Sequence, residues 1–195
     1  MEDWKASLPS FHSSKVSSYF LGNLKHAQFV RFQGQQLTDE VQTEHTFSGD
    51  LLTVLRELDG FIPVQNQSRP EIESPLRERM TTLYPTIAIR ELLMNAIMHR
   101  WYEGSSAPIR FYWFTERIEI QSPGGLYGEA TPENFPRQNA YRNPVIAEAM
   151  KVLGYVNKYG RGVLRAQEAL LRNGNPPAEF TFEPTYVLAT IRRSP

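Results

Sequence analysis

Glu91, Asn95 and His99 stand at i, i+4 and i+8 in the stretch Arg-Glu-Leu-Leu-Met-Asn-Ala-Ile-Met-His-Arg that begins at Arg90. On an α-helix this spacing places an acid, an amide and an imidazole in one ladder. Ala88 and Leu92 flank Asn95 on one side of the wheel, Ile87 and Met98 on the other. Ile89, Leu93, Ala96 and Ile97 fill the far side. A helix that is apolar nearly all round is a buried one. Polar groups on it need partners, or each costs about 1–3 kcal/mol. A ligand carrying phosphates and a metal ion is one such partner. Ordinary i,i+4 pairing between the three side chains is the plainer alternative.

Two glycine clusters follow downstream. Ser122-Pro123-Gly124-Gly125-Leu126 allows close backbone approach or positive φ, the properties of a turn or of a ligand-binding loop. Gly160-Arg161-Gly162 precedes a helical pattern, where free N–H groups and the helix dipole suit a phosphate. Lys158 and Arg161 can add charge-assisted contacts there. A lone Gly-x-Gly is weak by itself, so its place in the series matters more than its composition.

The elements that must position these residues are legible in outline. Residues 27–33 can form a strand, with Val30 and Phe32 on one face. A turn and polar excursion is expected from Gly34 to Thr46. A helix is expected over 48–62, with Ser48 as N-cap, Leu51, Leu52, Leu55 and Leu58 as its stripe, and Gly60 as its stop. Residues 63–80, with three prolines, read as loop or weak strand. The ladder helix is expected from Pro85 to about Tyr102. A hairpin over 109–121 turns at Thr115-Glu116. Asn143-Pro144 opens the next helix, with Val145, Ala149, Val152 and Leu153 on its buried face. A last helix spans 162–173, buried through Val163, Leu164, Ala166, Leu170 and Leu171. Two strands then meet near Pro184. That order implies an α+β fold, a mixed or antiparallel sheet with helices on one face.

Composition bounds the function classes. The chain has 195 residues, 41% hydrophobic, enough for one domain with a sizeable core. Lys+Arg and Asp+Glu both number 21, and the net charge of zero argues against a nucleic-acid or anionic-membrane surface covering the whole chain. With no cysteine there is no disulfide framework and no thiolate metal site. No apolar run approaches the roughly 20 residues of a membrane span, and residues 1–18 carry no signal core. A cytoplasmic protein is the default expectation, with residues 1–18 peripheral or disordered and 19–195 a single domain.

Tyr84-Pro85, Arg90-Glu91, Asn95-Ala96, His99-Arg100, Arg117-Ile118-Glu119-Ile120, Pro123-Gly124-Gly125-Leu126, Arg142-Asn143-Pro144 and Lys158-Tyr159-Gly160-Arg161-Gly162 occur in that order. The series resembles the GHKL-type (HATPase_c_4) ATP-binding domain of bacterial Schlafen-AlbA or divergent-AAA regulators, a group commonly described as RecG-like helicases. The resemblance covers about 20–193 and implies a Bergerat-type two-layer sandwich. It implies Mg²⁺ with ATP, or another nucleotide, as the cofactor. Asn95 would hold the ion and Glu91 would orient or activate the attacking water. His99 would contact a phosphate or support Asn95. Ser122, Gly124 and Gly125 would lie at the base, and Lys158, Gly160, Arg161 and Gly162 at the phosphates.

Two positions depart from the family pattern. Ser122 stands where the family carries the Asp that accepts the adenine amino group, and Trp101 stands where Asp commonly follows His-Arg. A hydroxyl can bond adenine, but without the charge. The expected function is therefore an ATP·Mg²⁺-binding module of a bacterial transcriptional or defence regulator, with slow hydrolysis left open. The alternative is a degenerate GHKL scaffold serving oligomerisation or another ligand. DNA would be reached only through domains not present in this chain, a homo-oligomer is allowed, and no membrane partner is expected. A helicase motor is disfavoured because no G-x-x-x-x-G-K-[ST] phosphate loop occurs.

Overall fold

The computed structural model describes residues 24–66, 68–74, 76–137, 140–156 and 160–194. The 1–18 segment and Lys158 lie outside them. The architecture is α+β. Among the described residues a six-stranded mixed sheet carries four helices, with a separate two-stranded hairpin.

The chain enters through β1 (Leu24–Phe32) and β2 (Val41–Gly49), then α1 (Leu51–Gln65), the hairpin β3 (Ser68–Ser74) and β4 (Arg77–Thr82), and α2 (Thr86–His99). It continues through β5 (Ile109–Trp113), β6 (Arg117–Pro123), α3 (Pro144–Val152), α4 (Gly162–Arg172), β7 (Glu179–Phe182) and β8 (Tyr186–Arg192). The sheet order is β2-β1-β5-β6-β8-β7, and only β1 and β5 run parallel. Parallel neighbours need a long crossover, and α1, the hairpin and α2 all lie in this one.

Strand alternation sorts the core. Ala27, Phe29, Ile109, Phe111, Trp113, Ile118, Ile120, Ala189 and Ile191 share one cluster with buried residues of all four helices. Phe29 meets Phe111 edge to face at 5.0 Å. Residues of opposite parity, Val30, Phe32 and Phe114, form a small second cluster on the other side. Most important for function, Ser122 and Val187 pair across β6 and β8 on the side that carries the core, facing α2.

Several local expectations need correction. The polar excursion contains β2, an edge strand in which only Phe47 is buried, so no period-2 signal exists to betray it. The cap of α1 is Asp50, not Ser48, and its carboxylate accepts from the Thr53 N–H at 3.0 Å. That helix runs through Gly60 and Pro63 to Gln65, because Ile62 extends its buried stripe. In α3 the buried residues are Ile146, Ala147, Ala149 and Met150, whereas Val152 is exposed. In α4 Leu164 and Leu171 face outward.

Candidate functional site

Helix α2 is the spine of the site. Ala88, Ile89, Glu91, Leu92, Leu93, Met94, Ala96 and Ile97 are all buried, on every side of the helix. It ends at Arg100, and the end is held by Asn143. That side chain does not cap its own helix. Instead its Nδ2 donates to the carbonyls of Met98 at 2.9 Å and Arg100 at 2.7 Å. Asn143 thus satisfies orphan carbonyls at the C-terminus of α2.

Between α2 and the sheet lies a pocket of about 110 Å³. Glu91, Asn95 and His99 line it from the helix, and Ser122, Gly124 and Gly125 from the end of β6. Gly160, Arg161 and Gly162 line it from the start of α4. Every expected site residue that the structure describes therefore borders one cavity. Tyr127, Phe135, Tyr141 and Phe180, which sequence reasoning did not single out, supply an aromatic wall.

The Glu91 carboxylate bridges two helices. Its Oε1 pairs with Arg90 Nη1 at 2.7 Å and with Arg165 Nη1, on α4, at 2.9 Å. Arg90 also donates to the Tyr155 carbonyl at 2.6 Å, tying in the segment that leads toward α4. Oε2 has no hydrogen bond among the described residues and faces Gly162. A Cβ built there would lie 2.8 Å from it. One carboxylate oxygen is fastened and the other is left open beside the pocket. Arg165 was missed because nothing local in the sequence links it to Glu91.

Helix α4 begins at Gly162 with no side-chain cap at Arg161. The first intrahelical bond is Arg165 N–H to Arg161 O. The N–H groups of the preceding turn are accordingly available where the helix dipole is positive. Arg161 itself is exposed. Asn95 has no side-chain hydrogen bond among the described residues, so its amide is free to meet a ligand.

Ser122 is used differently. Its buried hydroxyl donates to the Ala96 carbonyl at 3.0 Å. Gly124, at φ +97, has no room for a side chain, since a Cβ would lie 2.7 Å from Trp101 Cβ. Trp101 is anchored here, its backbone N–H donating to the Pro123 carbonyl at 2.8 Å. At Gly125 a Cβ would lie 2.6 Å from the backbone oxygen of Glu183 and 2.8 Å from that of Pro184. Backbone cannot yield as a side chain can. Gly125→Ala is expected to cost about 1–3 kcal/mol, measured as a lowered denaturant midpoint; an unchanged midpoint would refute this packing.

His99 stacks on Tyr141 with ring centroids 5.8 Å apart. Burial, and next the charge of Arg142, push its pKa down to about 4, so the ring is neutral at pH 7. Arg142 donates to the Gly125 carbonyl at 2.8 Å and lies 4.9 Å from the Tyr127 ring.

Residues 106–191 match the HATPase_c_4 family. Its description reads "Putative ATP-dependent DNA helicase recG C-terminal". The resemblance read from the motifs holds over this stretch, a little under half of the chain. The HATPase_c_4 stretch includes both glycine clusters, while Glu91, Asn95 and His99 lie just before it. No curated protein matches the chain. Among solved structures, the DIP2311 protein from Corynebacterium diphtheriae is similar, with a TM-score of 0.79 and 25% identity over 89% of this chain. The chain spans 36% of that protein's length. The HATPase_c_4 match points to an ATP-binding domain. No helix among the described residues is long and apolar enough to cross a membrane.

Proposed function

We propose that this chain binds ATP with Mg²⁺ in the pocket between α2 and the sheet, as a GHKL-type module of a bacterial transcriptional or defence regulator. One observation carries the reading. The unpartnered Asn95 amide and the uncapped N-terminus of α4 border the same cavity, as an anionic ligand with a cation requires.

The donor set fits Mg²⁺ only with its nucleotide. Among the described residues no cluster of three acidic or histidine side chains could hold an ion. One amide oxygen plus phosphate oxygens and waters suffices for a hard, hydrated cation. When bound, the ion would neutralise phosphate charge. The chain's own residues do the rest: α4 presents N–H donors, Asn95 offers an oxygen, and the open Glu91 Oε2 can accept a proton from a water beside it. DNA contact belongs to parts outside this chain in this reading, and self-association is compatible with it.

Calorimetric titration with ATP, ADP and GTP, with and without Mg²⁺, tests the proposal. Saturable, Mg²⁺-enhanced heat is expected for ATP. Asn95→Ala should abolish the Mg²⁺-dependent part of the affinity and leave the rest. A second reading, a degenerate scaffold for oligomerisation or another ligand, draws support from Ser122, whose proton is already donated to Ala96. It predicts no nucleotide heat at all.

A further inference from the structure

We propose that His99 reads the nucleotide base, and that the pocket accepts 6-amino and 6-oxo purines alike; this rests on the nucleotide reading above.

The pocket has two ends. Glu91 faces Gly162 at one, and Ala96 meets Ser122 at the other. At 1.5 Å per residue, His99 lies about 12 Å along α2 from Glu91. It is therefore remote from the anion-binding turn of α4, and it sits with Tyr127 and Tyr141 in the aromatic wall. A flat ring suits such a wall, and a phosphate does not. A neutral imidazole beside Arg142 also brings no charge to a phosphate.

Base recognition needs a polar group that is not already committed. Ser122 has one proton and has given it to the Ala96 carbonyl. Its oxygen can only accept, and the residue, 6% exposed, presents little of it to the pocket. Neither ring nitrogen of His99 has a hydrogen-bond partner among the described residues. Neutral imidazole donates from one nitrogen and accepts at the other, and the tautomer can follow the ligand. It accepts from the amino group of adenine or donates to the oxo group of guanine. A site with a fixed donor or acceptor rejects the mismatched base by orders of magnitude, because a buried group is left unpaired. A switchable one does not.

The test titrates the whole chain with Mg²⁺ complexes of ATP, GTP and inorganic tripolyphosphate. ATP and GTP are expected to bind within about tenfold of each other, and both more tightly than tripolyphosphate. His99→Leu should weaken ATP and GTP equally, by about three- to tenfold, and leave tripolyphosphate unchanged. His99→Gln, which keeps a donor and an acceptor, should restore both. A preference beyond tenfold for either purine overturns the inference. So does a His99→Leu variant that loses tripolyphosphate as strongly as ATP, since His99 would then serve the phosphates. Should the leucine variant fail to fold, the wild-type ratio and the glutamine variant still decide. If neither nucleotide nor tripolyphosphate binds the wild type, the nucleotide reading itself falls. If tripolyphosphate binds as well as ATP, the anion end stands and the base reading fails.

Discussion

Replacing Glu91 by Gln is expected to cost about 1–3 kcal/mol of folding stability, because the buried carboxylate would no longer supply charge to Arg90 and Arg165. The cost stays below the range for fully buried pairs because both arginines are about one-third exposed, at 33% and 36%. The readout is the midpoint of chemical denaturation. The same variant should lower whatever ATP hydrolysis the wild type shows by about 10²–10⁴, the loss expected when a positioned base is removed. Nucleotide affinity should fall less, since the free N–H groups of α4 and the Asn95 amide remain. Arg165→Met should reproduce part of the stability loss without removing the open Oε2. A Glu91→Gln chain as stable as wild type would contradict the bridge between α2 and α4. Unimpaired hydrolysis would remove Glu91 from the chemistry.

The parts of the site legible in sequence are those encoded by local period. Glu91, Asn95 and His99 share a helical ladder, and the glycines at 124–125 and 160–162 mark turns, so neighbouring residues alone suffice to find them. Long-range partners leave no such trace. Arg165 lies far along the chain from Glu91, on a helix that reads as an ordinary amphipath. Asn143 is even misleading, because its local context is that of an N-cap while its amide serves the end of α2. The fold class was legible for the same reason as the ladder. β2 was not, because an edge strand buries too little to alternate. The face of α3 is ambiguous in the sequence because Ile146 and Met150, two of its four buried residues, sit close to Val145 and Val152, which are equally apolar.

Acid should destabilise this protein over a window that His99 helps to set. The folded-state pKa of its imidazole is about 4, against 6.5 for the free side chain, chiefly through burial and then through Arg142. Between those values the unfolded chain binds the proton and the folded chain does not. This penalty is absent above pH 6.5, grows as the pH falls toward 4, and levels off below it. At 1.36 kcal/mol per pH unit, the full loss amounts to about 3 kcal/mol. His26, also lowered by burial, contributes in the same direction, and acidic groups add their own slope. The comparison that isolates His99 is therefore wild type against His99→Gln, by denaturant unfolding at several pH values from 7 to 4. The glutamine variant should lose less stability over that range, and the two curves should converge in slope above pH 6.5. Parallel curves throughout would show that His99 titrates alike in both states and so is not held neutral by burial. A bound anion beside the ring would raise its folded pKa and shrink the window. Saturating tripolyphosphate should therefore raise the wild-type curve without narrowing this window if His99 stands at the base end of the pocket, as its separation along α2 from Glu91, which faces Gly162, requires.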